Sequence, residues 1–224
     1  MGVVLLPEEQ AARKKEMKQL GFIVYLVVVT FLMWLAAPYV NKLIKQANEY
    51  YPRTMEAPEW VDVQYLAMDG LSRTGAEMPS PTTIVIHGAQ SGLGTQQLWK
   101  LYQGDTSAES VHFIVGTDGT ILQCIPLEEL SSAHGMGEAH VINIALCGDA
   151  GSREVPIHQE KALAKLCAWL VEDSFLQVSD VKRHSDVAKN LAEPCPLLYA
   201  SNDEQWRDFL AEVHWSITEG DWKK

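Results

Sequence analysis

Three residues of this chain have side chains suited to holding a transition metal: His87, His184 and Cys195. Imidazole nitrogen and thiolate sulfur are good ligands for zinc. Cys195 lies between Pro194 and Pro196, and two prolines stiffen the backbone so that the sulfur is held in one direction. His184 precedes it by 11 residues, across a short polar loop. His87 closes the run Thr83-Ile-Val-Ile-His87 and is followed by Gly88. A short β-branched run of that kind reads as a buried strand, here delivering His87 to the edge of a sheet. Three ligands from distant parts of the chain, with no obvious fourth, fit a catalytic zinc with an open position for water. The spacing alone is also compatible with chance, because a buried free cysteine is often only a small apolar residue.

The elements that must position these residues alternate along the chain. Trp60-Val-Asp-Val-Gln-Tyr-Leu66 has strand alternation, and Ser72-Arg-Thr-Gly75 marks a turn. Thr95 caps a short helix carrying Leu98, Trp99 and Tyr102. Val111–Val115 and Thr120–Ile125 flank Gly-Thr-Asp-Gly119, a hairpin signal through Asp-Gly. Val141–Cys147 is a further apolar strand, and Lys161–Val171 gathers Leu163, Leu166, Cys167, Leu170 and Val171 on one helix face. Val178–Lys182 reads as a strand running into His184. Ser201 with Glu204 forms a capping box ahead of Trp206, Phe209, Leu210 and Val213. Strands alternating with helices predict an α/β domain with a central mixed β-sheet flanked by helices.

Composition narrows the partners. The 224 residues hold one ordinary domain plus an appendage, and 47% hydrophobic content argues against wholesale disorder. A formal net charge of −11 argues against nucleic acid. Residues 58–224 carry 11 basic and 24 acidic side chains, a net of −13. Cys124, Cys147, Cys167 and Cys195 contain no Cys-x-x-Cys pair and do not form a disulfide framework for a chain this size, although two of them could pair.

The appendage is at the amino end. Leu20–Ala37 carries no charge over 18 residues. At about 1.5 Å per residue, extension to Val40 gives enough length to cross a hydrocarbon core of about 30 Å. Arg13, Lys14, Lys15 and Lys18 precede it, which favours a cytoplasmic amino terminus. A cleaved signal peptide is the rival, but its apolar region runs to about 7–15 residues. The expected organisation is a cytoplasmic tail at 1–19, one transmembrane signal anchor at 20–40, a juxtamembrane spacer at 41–58 and a catalytic domain at 59–219. That domain is then extracytoplasmic, on a single-pass cell-membrane protein.

Several segments, in order, resemble the zinc-dependent N-acetylmuramoyl-L-alanine amidases, the family of phage lysozyme amidases and peptidoglycan recognition proteins. They are Trp60-Val-Asp-Val-Gln64, Ser72-Arg-Thr-Gly75, Ile84-Val-Ile-His87, Ser110–Pro126, His134-Gly135 and Lys182–Tyr199. The similarity is closest to members from Gram-positive bacteria and their phages. It implies His87, His184 and Cys195 as zinc ligands with water as the fourth, and peptidoglycan as the substrate. The bond cleaved would be the amide between N-acetylmuramic acid and L-alanine. His134 and His112 are the substrate-binding candidates; His112, in a strand, suits a local hydrogen bond better than a metal. Asp186 either orients the His184 imidazole by accepting a hydrogen bond from its ring N–H or caps its own loop.

The chain departs from the family at the groups that handle protons. The resemblance places a tyrosine where Val111 stands, or a glutamate where Ala145 stands, and neither residue present can transfer a proton. A lysine or threonine is expected two residues before the third ligand, where this chain has Glu193; Lys189 could fill that place in space. Glu193 is the candidate general base, and general acid once protonated, or else a solvated loop carboxylate. Two functions follow. One is a membrane-anchored amidase; the other is a catalytically impaired wall protein that keeps zinc or the muropeptide groove.

Overall fold

The computed structural model describes residues 21–37, 40, 56–68, 71–89, 92–104, 109–133, 140–148, 154–188, 195–196, 199 and 202–223. The chain divides into two compact units, Met1–Pro52 and Arg53–Lys224.

In the first unit, residues 21–37 form helix α1. Its large apolar side chains are exposed, Phe22, Val27, Met33 and Trp34 among them. The Thr30 hydroxyl donates back to the carbonyls of Leu26 (2.8 Å) and Val27 (3.0 Å), so its polarity is satisfied within the helix. Among the described residues no helix is long and apolar enough to cross a membrane. The expected span at 20–40 lies partly outside the described residues, as do most of the tail and spacer.

The second unit is built on one six-stranded sheet in the order β1-β4-β3-β5-β2-β6. The strands are β1 (Asp62–Val63), β2 (Thr83–Gly88), β3 (Phe113–Val115), β4 (Ile121–Gln123), β5 (Val141–Leu146) and β6 (Val181–Arg183). Only the β3–β4 hairpin is antiparallel; every other neighbouring pair is parallel, so the sheet is mixed. Gly119, at φ +89°, makes the hairpin turn that L side chains rarely allow. Around the sheet lie α2 (Thr95–Gly104), α3 (Ile157–Asp173), the short α4 (His184–Val187) and α5 (Asp203–Glu219).

Both faces of the sheet are covered, which explains why β5 reads as an apolar run rather than an alternation. One face sets Ile84, Ile86, Phe113, Ile142 and Ile144 against Leu163, Leu166 and Trp169 of α3 and Phe209 and Val213 of α5. Each such side chain contributes on the order of 1.5–3 kcal/mol when fully buried, so this thick layer holds the sheet's frame. The other face is thinner: Ile114, Leu122 and Ala145 meet Leu98 and Tyr102 of α2. Gln159 of α3 clamps the end of the sheet, its Nε2 donating to the carbonyls of Val115 (2.9 Å) and Cys147 (2.7 Å).

Four local expectations are corrected. The strand expected at 60–66 pairs only over Asp62–Val63, because it lies at the sheet edge; Gln64 and Leu66 continue with single bonds to Gln123 and Cys124. Helix α3 begins at Ile157, a turn before the apolar stripe. Val178–Asp180 is a 3₁₀ turn whose Asp180 carboxylate caps Gln177, so β6 starts only at Val181. Asn202 caps α5, accepting from the N–H groups of Glu204 and Gln205; Ser201, the expected cap, lies outside the described residues.

Candidate metal centre

His87 stands near the carboxyl end of β2 and is 3% exposed. β6 runs parallel beside β2, with Ile86 in register with Arg183. The next residue along the chain from each is a histidine, and the two imidazole centroids lie 4.5 Å apart. His184 opens α4, whose turn is held by Asp186: its carboxylate accepts from the Arg183 backbone N–H at 3.1 Å and from the Arg183 guanidinium at 2.9–3.2 Å. Arg183 reaches on to the Tyr199 carbonyl (3.1 Å) and Asp203 (2.8 Å), tying the turn to the start of α5.

Cys195 is stitched to both histidines through their chain neighbours. Its carbonyl accepts from the N–H of Ser185 at 2.8 Å, and its Sγ accepts from the N–H of Gly88 at 3.4 Å. The ligand atoms of His87, His184 and Cys195 all lie within 4.8 Å of one another, and all three residues are buried. Burial pushes the Cys195 thiol up, while the Gly88 N–H pulls it part of the way back. A metal ion binding the sulfur would displace the thiol proton into solvent. Two imidazoles and one thiolate, converging on one point, fit zinc by donor chemistry and by number.

A second layer holds the first. His87 Nε2 meets Asn143 Oδ1 at 2.8 Å, and Asn143 Nδ2 donates to Ser131 Oγ at 2.8 Å. The Asn143 backbone N–H donates to His112 Nδ1 at 3.0 Å, and His112 Nε2 donates to the Glu129 carbonyl at 2.9 Å. Glu129 is in turn gripped by Arg73 at 2.6 and 2.7 Å. His112 is fully buried, which drives its pKa down to about 4 against a weaker upward pull from the Glu129 carbonyl. Both nitrogens of His112, expected as a substrate contact, serve backbone groups, and its ring supports the strand behind the ligands. Asp186 likewise acts by capping: among the described residues its contacts are with Arg183.

The departures from the family occupy one place. Ala145 is directly in register with His87 and Val111 lies 3% exposed; both belong to the apolar cluster against α2. No carboxylate or phenol comes from either position. His134, Lys189 and Glu193 lie outside the described residues. Sequence reasoning missed Asn143 and Ser131. The available signal was the single amide within Val141-Ile-Asn-Ile-Ala-Leu146, since asparagine is depleted in strands and a buried one needs partners. All four cysteines are buried free thiols.

A mixed sheet covered on both faces, with two histidines and a cysteine converging beside the carboxyl ends of β2 and β6, defines an α/β domain with a candidate metal site. The family model described as N-acetylmuramoyl-L-alanine amidase matches residues 77–196. That is more than half of the chain, which belongs to this family, one of enzymes that hydrolyse an amide bond of peptidoglycan. Among solved structures, the amidase LysC from Clostridium intestinale is 25% identical with a TM-score of 0.54, over 70% of this chain and 99% of that one. The PlyG catalytic domain (16% identity, TM-score 0.60) covers 70% of this chain and 94% of its own. PlyL (16% identity, TM-score 0.59) covers 68% and 96%. At those identities PlyG and PlyL speak to the fold alone. No curated protein matches the sequence.

Proposed function

We propose that residues 59–219 form a zinc-dependent amidase that cleaves the bond between N-acetylmuramic acid and L-alanine in peptidoglycan. The observation that carries this reading is the convergence of His87, His184 and Cys195 within 4.8 Å in a chain of this family. When bound, zinc supplies Lewis acidity toward the scissile carbonyl and toward a water molecule. The protein's part is to fix the donors. Neutral His87 and His184 offer ring lone pairs, and Cys195 offers a thiolate that the Gly88 N–H favours. The backbone tie between Ser185 and Cys195 keeps the second and third donors in register. Proton transfer falls to Glu193, two residues before Cys195, with Lys189 as the cation nearest in sequence on the same loop.

We further propose that residues 20–40 anchor the chain in the cell membrane, with the amidase domain on the extracytoplasmic side. Support comes from the absence of charge in 20–37, from the exposed apolar surface of α1, and from the internally satisfied hydroxyl of Thr30. A second reading is favoured by Val111 and Ala145, which place apolar side chains where proton-transfer groups are expected. In that reading the domain binds zinc and muropeptide without turnover. Incubation of the purified, zinc-loaded chain with intact peptidoglycan, followed by mass spectrometry, separates the two. Release of free stem peptides with an L-alanine amino terminus is the expected result; zinc and muropeptide binding without release establishes the second reading instead.

A further inference from the structure

We propose that Asn143 is the positioning residue of the metal centre. Its side-chain oxygen keeps the His87 proton on Nε2, so that Nδ1 is the nitrogen offered to the metal. The inference rests on the zinc reading above and adds to it the atom that binds and the group that selects it.

The sheet register creates this contact. β5 pairs with β2 so that Val85 faces Asn143 and His87 faces Ala145. Residues two apart on a strand share a face, so Asn143 is the diagonal neighbour of His87, within reach of a long side chain. The residue directly opposite His87 is only a methyl group, Ala145. The imidazole can therefore lean along the sheet to Asn143, and Nε2 meets Oδ1 at 2.8 Å. Asn143 is 4% exposed, so water does not compete for its amide. Ser131 takes up the Nδ2 end at 2.8 Å, which turns Oδ1, an acceptor only, toward His87. An acceptor at Nε2 requires a proton there, and a neutral imidazole with its proton on Nε2 has its lone pair on Nδ1. The strand carrying Asn143 is fixed independently, because its N–H is bonded to His112 at 3.0 Å. The opposite setting of the amide would have Nδ2 donate to Nε2. It would leave a proton on Nδ1 among the ligand atoms, where it would exclude a cation.

The test uses the full chain in detergent micelles with histidine-selective ¹⁵N labelling. Long-range proton–nitrogen correlation reads the His87 tautomer in the metal-free protein, and competition with a chromophoric chelator reads the zinc affinity. Three proteins are compared: wild type, Asn143→Asp, which keeps an acceptor, and Asn143→Leu, which removes it. Wild type and Asn143→Asp should carry the His87 proton on Nε2 and hold zinc within a few-fold of each other. Asn143→Leu should lose the tautomer preference and bind zinc about 10–100-fold more weakly, the usual cost of removing an outer-shell partner. Its metal-free melting temperature controls for general damage; if Asn143→Leu does not fold, the tautomer in wild type and the retention of affinity in Asn143→Asp decide. A His87 proton on Nδ1 in the wild type, or undiminished zinc affinity in Asn143→Leu, overturns the positioning role alone. Failure of the wild type to bind zinc overturns the zinc reading and this proposal together.

Discussion

Acid should loosen the support of the metal centre at one identifiable group, His112. Its Nδ1 accepts from the Asn143 N–H and its Nε2 donates to the Glu129 carbonyl. Protonation would place a second donor against the Asn143 N–H at 3.0 Å, inside a site with no exposure to water. Desolvation accordingly lowers the pKa from 6.5 to about 4 in the folded chain. The sign follows from proton counting. Between those two values the unfolded chain binds the proton and the folded chain does not, so stability rises with pH. The contribution is complete above about pH 6.5 and is lost as pH falls through 4. At about 1.4 kcal/mol per pKa unit the full loss is about 3 kcal/mol, of which about 2 kcal/mol is gone by pH 5. That is a sizeable part of a typical domain stability of about 5–15 kcal/mol.

Urea denaturation of metal-free wild type and His112→Gln at pH 7 and pH 5 measures this. The variant lacks the titrating ring but shares every other ionisable group, so the stability gap between the two isolates His112. The gap should narrow by about 2 kcal/mol on going from pH 7 to pH 5. A gap that stays constant, or an NMR titration that places His112 near 6.5, would refute the account of a ring trapped between two backbone groups.

Three other outcomes are expected. Cys195→Ser should sharply weaken zinc binding, because a hydroxyl is a far poorer ligand than a thiolate; full occupancy in a Cys195→Ser, His184→Ala double variant, read by elemental analysis, would sink the ligand assignment. Ala145→Glu should destabilise the fold by about 3 kcal/mol at pH 7, because it buries a carboxyl in the apolar cluster with Leu98, Tyr102 and Ile114. An unchanged thermal melt would show instead that the carboxylate escapes that cluster. Protease added to intact spheroplasts should digest residues 58–224 and spare the amino-terminal tail, and protection of the large domain would reverse the orientation.

Much of the site was legible as residue types but not as neighbours. His87 could be read at the end of a β-branched run because local pattern determines a strand. That β6 lies beside β2, so that His184 comes next to His87, depends on a sheet order no local pattern carries. The same limit explains His112. A strand position and a histidine are compatible with facing a substrate or facing the backbone, and only the pairing of β3 with β5 shows which. Asp186 sits in the turn because three nitrogens of Arg183, its chain neighbour three residues back, donate to its carboxylate: the backbone N, Nε and Nη2. The helix stripes of α3 and α5 were correct on their buried faces and imprecise at their ends, where a cap or a 3₁₀ turn rather than burial fixes the boundary.

β5 presents the remaining physical question in three residues. Asn143 gives the His87 ring a polar partner, Ile144 points to the opposite face and packs in the main core, and Ala145 leaves the position facing His87 without an ionisable group. Binding a metal and moving a proton are thus separated along one strand: the first is supported by an amide that survives acid and base, and the second has no group there at all. Replacing Asn143 with a branched apolar residue would strip the acceptor from the buried His87 Nε2 and the donor from Ser131 Oγ, so the amide is tied into the site at both ends. The buried amide of Asn143 touches a ligand histidine, which ties it to metal binding. Ala145, which costs nothing, then locates any deficit in turnover at the proton-transfer step rather than at the metal. Zinc affinity and amidase rate should accordingly respond to different residues: the former to Asn143, the latter to Glu193.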